Sequence, residues 1–217
     1  MRGISRQTLI LFWFFVLILV GIQFRAGASI LPSCLLAITL LAGAIDIPIT
    51  RKRMRKPNYS MDVVHLLEEV HAVALEQDFS GNKRFFDTVI AVNLGGFVIP
   101  FLAACCLGVI FPNLASIEIG AIMIAATYST AVFREGFGIE IPRYLGVLPI
   151  LLATLLVPGD AAVVAFVAGV LGILIGECAV LSAIDPERQG CARIVIGGAG
   201  SFQPVYITML LAILTLL

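Results

Sequence analysis

The sequence predicts an all-α protein: a polytopic transmembrane helical bundle of about seven spans, two of them broken by glycines, with a small cytoplasmic segment. The composition supports a membrane protein, because the 217 residues are 60% hydrophobic and only 13% charged. A soluble domain would be roughly 45–50% apolar and about 25% charged. Apolar segments also alternate with short polar breaks. A single topology places 13 of the 14 Lys and Arg residues on one side of a membrane, which is the bias that marks the cytoplasmic side.

The spans follow from the apolar segments, since about 20 apolar residues cross ~30 Å of hydrocarbon. The predicted spans are 9–24, 30–49, 88–111, 116–133, 144–157, 161–184 and 195–217. The fifth span is short and contains Pro149, so it could be tilted, kinked or only partly inserted. The basic residues then place the N-terminus in the cytoplasm and the C-terminus outside, in the cell (inner) membrane.

The N-terminal apolar segment also resembles a signal peptide, with Ala26, Gly27 and Ala28 as a cleavage pattern. Arg25 directly before that pattern, and a second apolar segment directly after it, favour a retained anchor.

The chain divides into an N-terminal transmembrane hairpin (1–49), a basic cytoplasmic segment (50–87) and a five-span membrane core (88–217). The middle segment is too short for a core of its own. Its basic run, Arg51 to Lys56, follows an apolar segment, so the predicted partners are the lipid bilayer and its anionic headgroups. The net charge of zero argues against a nucleic-acid partner.

Two secondary structures compete within the cytoplasmic segment. Apolar spacing from Met61 to Leu75 favours a short helix followed by a turn. The alternative is a hairpin around Ser80-Gly81-Asn82, whose second strand runs from Phe85 to Val92.

The last apolar segment contains a break in its helix. Gly197, Gly198 and Gly200 lie within four residues, and Pro204 follows. Such a segment makes a poor continuous helix. It predicts an extended stretch, a glycine turn, and then a helix beginning near Ser201 as the N-cap. Transporters place substrate and ion sites at such half-helix ends. The alternative is that the glycines only permit close helix packing.

A second break lies in the third span, where Asn93 precedes Gly95 and Gly96, with Pro100 downstream. The Asn93 side chain brings two donors and an acceptor into an apolar segment, and these must be satisfied there. Two glycine-broken spans, each with a later proline, resemble the paired broken helices of transporters.

The sixth span carries a small-residue face and an acidic residue. The small residues, which predict close packing, are Ala165, Gly169, Gly172 and Gly176. Glu177 follows directly, and an ionisable group inside a membrane is by default a candidate functional site. Its alternatives are a side chain that reaches the interface, or one that pairs with Arg188 or Arg193.

No catalytic, metal or cofactor site is predicted. His65 and Glu69 are four residues apart, and Glu68 and His71 are three apart, but these pairs lie on different helix faces and lack a third ligand. Walker, dinucleotide-binding and nucleophile-elbow motifs are absent from the sequence. The five cysteines show no CxxC spacing and are predicted to be packing residues.

Short motifs spread from about residue 40 to the C-terminus resemble an uncharacterised prokaryotic family of multi-pass membrane proteins, number sixteen-fourteen among the domains of unknown function. The matching stretches are IDIPI (45–49), VIAVNLGGFVIP (89–100), GFGIEIP (136–142), GVLGILIG (169–176) and IGGAGSF (196–202). The resemblance implies a membrane location and no established activity. It also implies aspartates where this chain has Cys178 and Gln203, so an intramembrane aspartyl protease does not carry over. Glu177 is one position away, about 100° around a helix.

The leading functional hypothesis is a transporter-like protein, or one that binds an ion or small solute at the broken helices. The predicted ligand-binding residues are Asn93, Gly95, Gly96, Glu177, Gly197, Gly198, Gly200, Ser201 and Gln203. The alternative is a structural or assembly subunit of a larger membrane complex. The predicted protein partner is another membrane protein or, in a homo-oligomer, further copies of this chain. An intramembrane enzyme ranks third, because it needs two facing titratable groups and only Glu177 is placed inside the membrane.

Overall fold

The computed structural model describes residues 6–26, 29–55, 85–134, 138–186, 190–191 and 193–216. The described residues form mainly helices. The α-helices are α1 (Arg6–Ala26), α2 (Leu31–Ala42), α3 (Ile99–Ile110), α4 (Leu114–Thr130), α5 (Leu148–Leu156), α6 (Ala161–Ala183) and α7 (Phe202–Leu214). A π-helical turn (Leu94–Val98) leads into α3, and a 3-10 turn (Arg143–Gly146) precedes α5.

The protein is mostly helical, as predicted, but it is not all-α. The described residues also contain β1 (Asp46–Arg55), β2 (Phe85–Asn93), β3 (Val132–Arg134), β4 (Gly138–Glu140) and β5 (Arg193–Ile196). They form two sheets, one in the order β1-β2-β5 and one of β3 with β4. In the larger sheet β2 pairs antiparallel with β1, Asp46 opposite Asn93. It pairs parallel with β5, Val92 opposite Ile196.

Strands β1, β2 and β5 each include an apolar run that continues into a segment predicted as a membrane span, although β1 ends in basic residues. A short apolar run does not distinguish a buried strand from a buried helix by periodicity alone. The β2 sequence FFDTVIAVN is rich in aromatic and β-branched residues, which favour strands. The enrichment in aromatic and β-branched residues, rather than the spacing of apolar residues, is the feature of this sequence that indicates a strand.

The hairpin predicted around Ser80 is correct in one of its strands. Phe85 to Val92 is extended as that alternative required, within β2. Its antiparallel partner among the described residues is β1, and the residues preceding Ser80, where that alternative placed the first strand, lie outside the described residues. The helix predicted from Met61 to Leu75 lies outside the described residues.

Helix α6 is the centre of the core and packs against α3, α4, α5 and α7. The predicted small-residue face makes this packing close. A Cβ atom on Gly169 would lie 2.5 Å from Pro149 of α5, and one on Gly176 would lie 2.6 Å from Thr127 of α4. No side chain fits at such distances, so these glycines let neighbouring helices approach α6 directly.

Only α6, with 23 residues, is long and apolar enough to cross a membrane by length and composition, among the described helices. The prediction of about seven spans is therefore not supported. The predicted span 30–49 ends as a helix at Ala42, and α2 has 12 residues, a rise of about 18 Å. The first residues of the predicted spans 88–111 and 195–217 are strands.

Candidate functional site

The two glycine breaks lie against each other. A Cβ atom on Gly96 would overlap the carbonyl oxygen of Gly197 and lie 2.8 Å from the Phe202 ring. A Cβ atom on Gly197 would lie 2.6 Å from the backbone nitrogen of Phe97. The contact is thus backbone to backbone, and the predicted breaks in the third and last spans form one junction.

The second break has the predicted course of strand, glycine turn and helix. Strand β5 ends at Ile196, and Gly197 follows with a φ of 71°, a conformation that glycine adopts without strain. The N–H groups of Ser201 and Phe202 both donate to the carbonyl of Gly198, at 3.1 and 2.7 Å. This turn connects β5 directly to α7.

The first break is held by Asn93, which is 3% exposed. Its Nδ2 donates to the carbonyl of Gly43 at 2.9 Å and to the Asp46 carboxylate at 2.8 Å. Its Oδ1 accepts from the N–H of Gly96 at 2.7 Å. The amide therefore has partners on both its nitrogen and its oxygen, and it fixes the loop at α2 to the first break.

Glu177 lies on α6 beside the second break and is 0% exposed. One carboxylate oxygen accepts from the N–H of Gly197 at 3.0 Å. The other accepts from the Ser201 hydroxyl at 2.7 Å. Glu177 thus fastens the central helix to both ends of the glycine turn. Neither donor carries a charge.

The geometry distinguishes between the alternatives for Glu177. The side chain is fully buried and does not reach an interface. Arg193 donates to Asp46, with Nη2 3.1 Å from the carboxylate, and forms no ion pair with Glu177. Arg188 lies outside the described residues. Cys178, where the resemblance implies an aspartate, is only half-buried, whereas Glu177 faces the turn.

Ser201 precedes α7 as predicted, but its side chain does not cap the helix. The hydroxyl bonds to Glu177 instead, so the carboxylate lies close to the N-terminus of α7. An anion at this position is favoured by the helix dipole.

The remaining predicted site residues surround the junction without meeting Glu177. Gly95 lies against the end of α2, where a Cβ atom would overlap the Thr39 carbonyl. The carbonyl of Gly200 accepts from Ile141 at 3.0 Å. Gly198 packs on Val195. Gln203 is buried in the first turn of α7, and its side chain forms no hydrogen bond with the described residues.

Sequence reasoning missed the part played by Asp46 and Arg193. Their ion pair joins β1 to β5 across the intervening strand, and Asp46 also bonds to Asn93. Asp46 lies in the predicted span 30–49 and was not among the predicted site residues. Only the sheet register, which places Asp46 opposite Asn93, brings these residues together.

An apolar cavity of about 350 Å³ lies away from the junction. It is formed where the beginnings of α2 and α6 meet the ends of α3 and α7, and its lining includes Leu31, Leu107, Ala162 and Ile213. It shares no lining residue with the predicted site.

The described residues contain no group of three His, Cys, Asp or Glu side chains that could hold a metal ion. At the junction, the chemically distinctive element is one buried carboxylate with two neutral donors. Such a group can exchange a proton or attract a cation. Within the described residues Glu177 bonds to no second carboxylate, which an aspartyl-protease mechanism would require.

Comparison with known proteins identifies a family but no activity. The family described as "Protein of unknown function (DUF1614)" matches residues 40–215. No curated protein matches the chain, and no solved structure matches it. The match begins inside α2 and includes both glycine breaks, Glu177 and the three-stranded sheet. The chain therefore belongs to the DUF1614 family of proteins of unknown function.

Proposed function

We propose that this protein is a multi-pass integral membrane protein of the cell membrane that binds an ion or small solute at the junction of its two glycine breaks. Glu177 is the central residue of that site. The observation that carries the proposal is the position of Glu177, wholly buried in the membrane-length helix and bonded to the glycine turn. No cation pairs with this carboxylate among the described residues, and burying a carboxylate in this way is costly, which makes Glu177 a candidate functional group.

The distribution of polar and apolar side chains supports the membrane location. Large apolar side chains on the outer helices are exposed, among them Leu17, Phe24, Val109 and Leu155 at 67%, 82%, 82% and 80%. Polar side chains such as Ser33, Asn93, Thr127, Glu177 and Thr208 are buried. An exposed apolar surface, with these polar side chains withdrawn into a largely apolar interior, suits a hydrocarbon surrounding.

The direction of the helices supports several membrane crossings. The beginnings of α2 and α6 meet the ends of α3 and α7 around the apolar cavity, so successive segments run in opposite directions. The sheet at the other ends of these segments carries Arg51, Arg53, Arg55 and Arg193. A cytoplasmic position of that sheet agrees with the positive-inside rule, and it places the basic strand β1 near anionic headgroups.

Helices too short to cross a membrane can still lie within it if the non-helical chain that continues them is shielded from lipid. Unwound backbone persists at membrane depth only inside protein or beside a water-filled cavity. Here Gly95, Gly96, Gly197 and Gly198 are all buried. The breaks thus occupy the protein interior, where transporters place their binding sites.

Thermal unfolding of purified protein tests the proposal. The wild type is screened against monovalent and divalent cations, anions, small organic acids and protons, alongside Glu177→Gln. Glu118→Gln, at an exposed position of α4, is the matched control. We expect at least one ligand to change Tm in the wild type and the control but not in Glu177→Gln. A response that is identical in all three proteins contradicts the proposal.

A structural or assembly subunit is the second candidate. The observation that favours it is the completeness of packing at the junction, where Asn93 is fully bonded and the glycines touch. Purification from native membranes distinguishes the two. A stoichiometric partner protein supports the assembly role, and isolation of the chain alone or as a homo-oligomer argues against it.

A further inference from the structure

We infer that the ligand of the Glu177 centre is a proton, and that Ser201 exchanges its hydrogen-bond direction when the proton binds. This assignment rests on the proposed function and identifies the ligand class of the same site. Three features of the junction support it: the space available, the kind of groups that face the carboxylate, and the lack of a charged partner.

The close contact between the two glycine breaks leaves no space for a larger ligand between them. A single Cβ atom on Gly96 would overlap the Gly197 carbonyl, and a Cβ atom on Gly197 would lie 2.7 Å from the carbonyl carbon of Gly96. A hydrated ion or an organic solute is larger than a methyl group, so it would have to separate the two breaks. A proton adds no volume.

The groups around the carboxylate are of the wrong kind for a metal cation. Both oxygens of Glu177 face hydrogen-bond donors, the N–H of Gly197 and the hydroxyl of Ser201. Hard cations need several oxygen ligands whose lone pairs point at the ion. An N–H group beside the ion would instead repel it.

No ion pair neutralises Glu177 within the described residues. The charged and titratable groups on the elements that pack against α6 are Glu118 and Tyr128 on α4, Cys105 and Cys106 on α3, Tyr206 on α7, Glu140 on β4 and Arg193 on β5, with Cys178 on α6 itself. Arg193 pairs with Asp46, and Glu140 pairs with Arg134. Tyr206 stacks on Phe12 and Phe202. None of them bonds to the Glu177 carboxylate.

The hydrogen-bond geometry indicates which oxygen takes the proton. The N–H of Gly197 can only donate, so the oxygen that it contacts must remain an acceptor. The proton therefore adds to the oxygen that faces Ser201. A hydroxyl both donates and accepts, so Ser201 then accepts from the new O–H, and its own hydrogen turns away from Glu177.

Infrared difference spectra between high and low pH test this directly, with wild type, Glu177→Gln and Glu118→Gln in lipid nanodiscs. We expect the carbonyl band of a protonated carboxylic acid in the wild type and the control, and its loss in Glu177→Gln. Ser201→Ala should keep this band but shift its frequency, because the acid has lost its acceptor. If Glu177→Gln does not fold, Glu177→Asp replaces it, and the band should shift rather than vanish.

Tm measurements with sodium, potassium and magnesium chloride separate the remaining outcomes. No Glu177-dependent effect of these cations, together with the Glu177-dependent band, supports the proton. A cation that raises Tm in the wild type but not in Glu177→Gln, with no such band, overturns the proton assignment and leaves the binding proposal intact. If neither the band nor any ligand effect depends on Glu177, the proton assignment and the proposed function are both wrong.

Discussion

Gly96 and Gly197 are in direct backbone contact, although 100 residues separate them in the chain. Each lies in a glycine break, and each position lacks the space for a β-carbon. This contact joins the break that leads into α3 to the glycine turn before α7. Glu177 in turn fastens that glycine turn to α6.

Gly96→Ala should destabilise the protein, because its methyl group would overlap the Gly197 carbonyl and neither backbone can move freely. Overpacking of this kind costs about 1–3 kcal/mol, measurable as a lower Tm. Gly21→Ala is the control, since nothing lies within 4 Å of that position in α1. For Gly21→Ala we expect no decrease in Tm, because alanine stabilises a helix by about 0.5–1 kcal/mol relative to glycine. Equal Tm values for the two variants would show that the breaks do not touch.

Asn93→Ala should also lower Tm. It removes the donors to Gly43 and Asp46 and the acceptor for Gly96, and unpaired buried groups cost about 1–3 kcal/mol. Ser129→Ala is the control, because this exposed hydroxyl bonds only to a carbonyl of its own helix. A loss no larger than that of the control would mean that Asn93 does not hold the break.

The ion pair between Asp46 and Arg193 should contribute more than the pair between Arg134 and Glu140. The side chains of Asp46 and Arg193 are 29% and 20% exposed. Those of Glu140 and Arg134 are 41% and 66% exposed. Exposed pairs contribute roughly 0.2–1 kcal/mol. Double-mutant cycles to alanine should give a larger coupling energy for Asp46 with Arg193. The reverse order would contradict the structural role assigned to the sheet.

Phe12→Ala should destabilise the protein, which tests whether α1 is retained in the mature chain. Phe12 is 6% exposed and stacks on Tyr206 with ring centroids 4.4 Å apart. Truncating a buried Phe costs about 3–5 kcal/mol. Phe14, at 58% exposure, provides the control, and Phe14→Ala should have little effect. If α1 were removed as a signal peptide, both variants would behave as the wild type.

Much of the candidate site could be predicted from residue types alone. The glycine turn before Ser201 was visible because clustered glycines and a proline disfavour a helix. The side chain of Asn93 has two donors and an acceptor, so its need for hydrogen-bond partners in an apolar segment was also predictable. Glu177 was conspicuous as a carboxylate in an apolar segment. These are local properties, so they require no knowledge of what lies opposite.

The strands and the partners of these side chains could not be predicted in the same way. Residues 46–55 pair with 85–93, and 85–93 with 193–196, and each pairing joins segments far apart in the chain. The spacing of apolar residues within one segment does not indicate which distant segment it pairs with. For this reason the pairing of Asp46 with Arg193 was not predicted, and residues 46–49 and 88–93 were placed in membrane spans although both stretches are strands.

Composition, charge placement and the positions of glycine by themselves determined an apolar, mainly helical protein with two broken segments and one acidic residue among apolar ones. The tertiary structure decided that the breaks meet, that Glu177 bonds to Gly197 and Ser201, and that a sheet closes one end of the helices. The physical reason is that burial and helix breaking depend on each residue and its immediate neighbours. Contact between segments depends instead on how the whole chain packs.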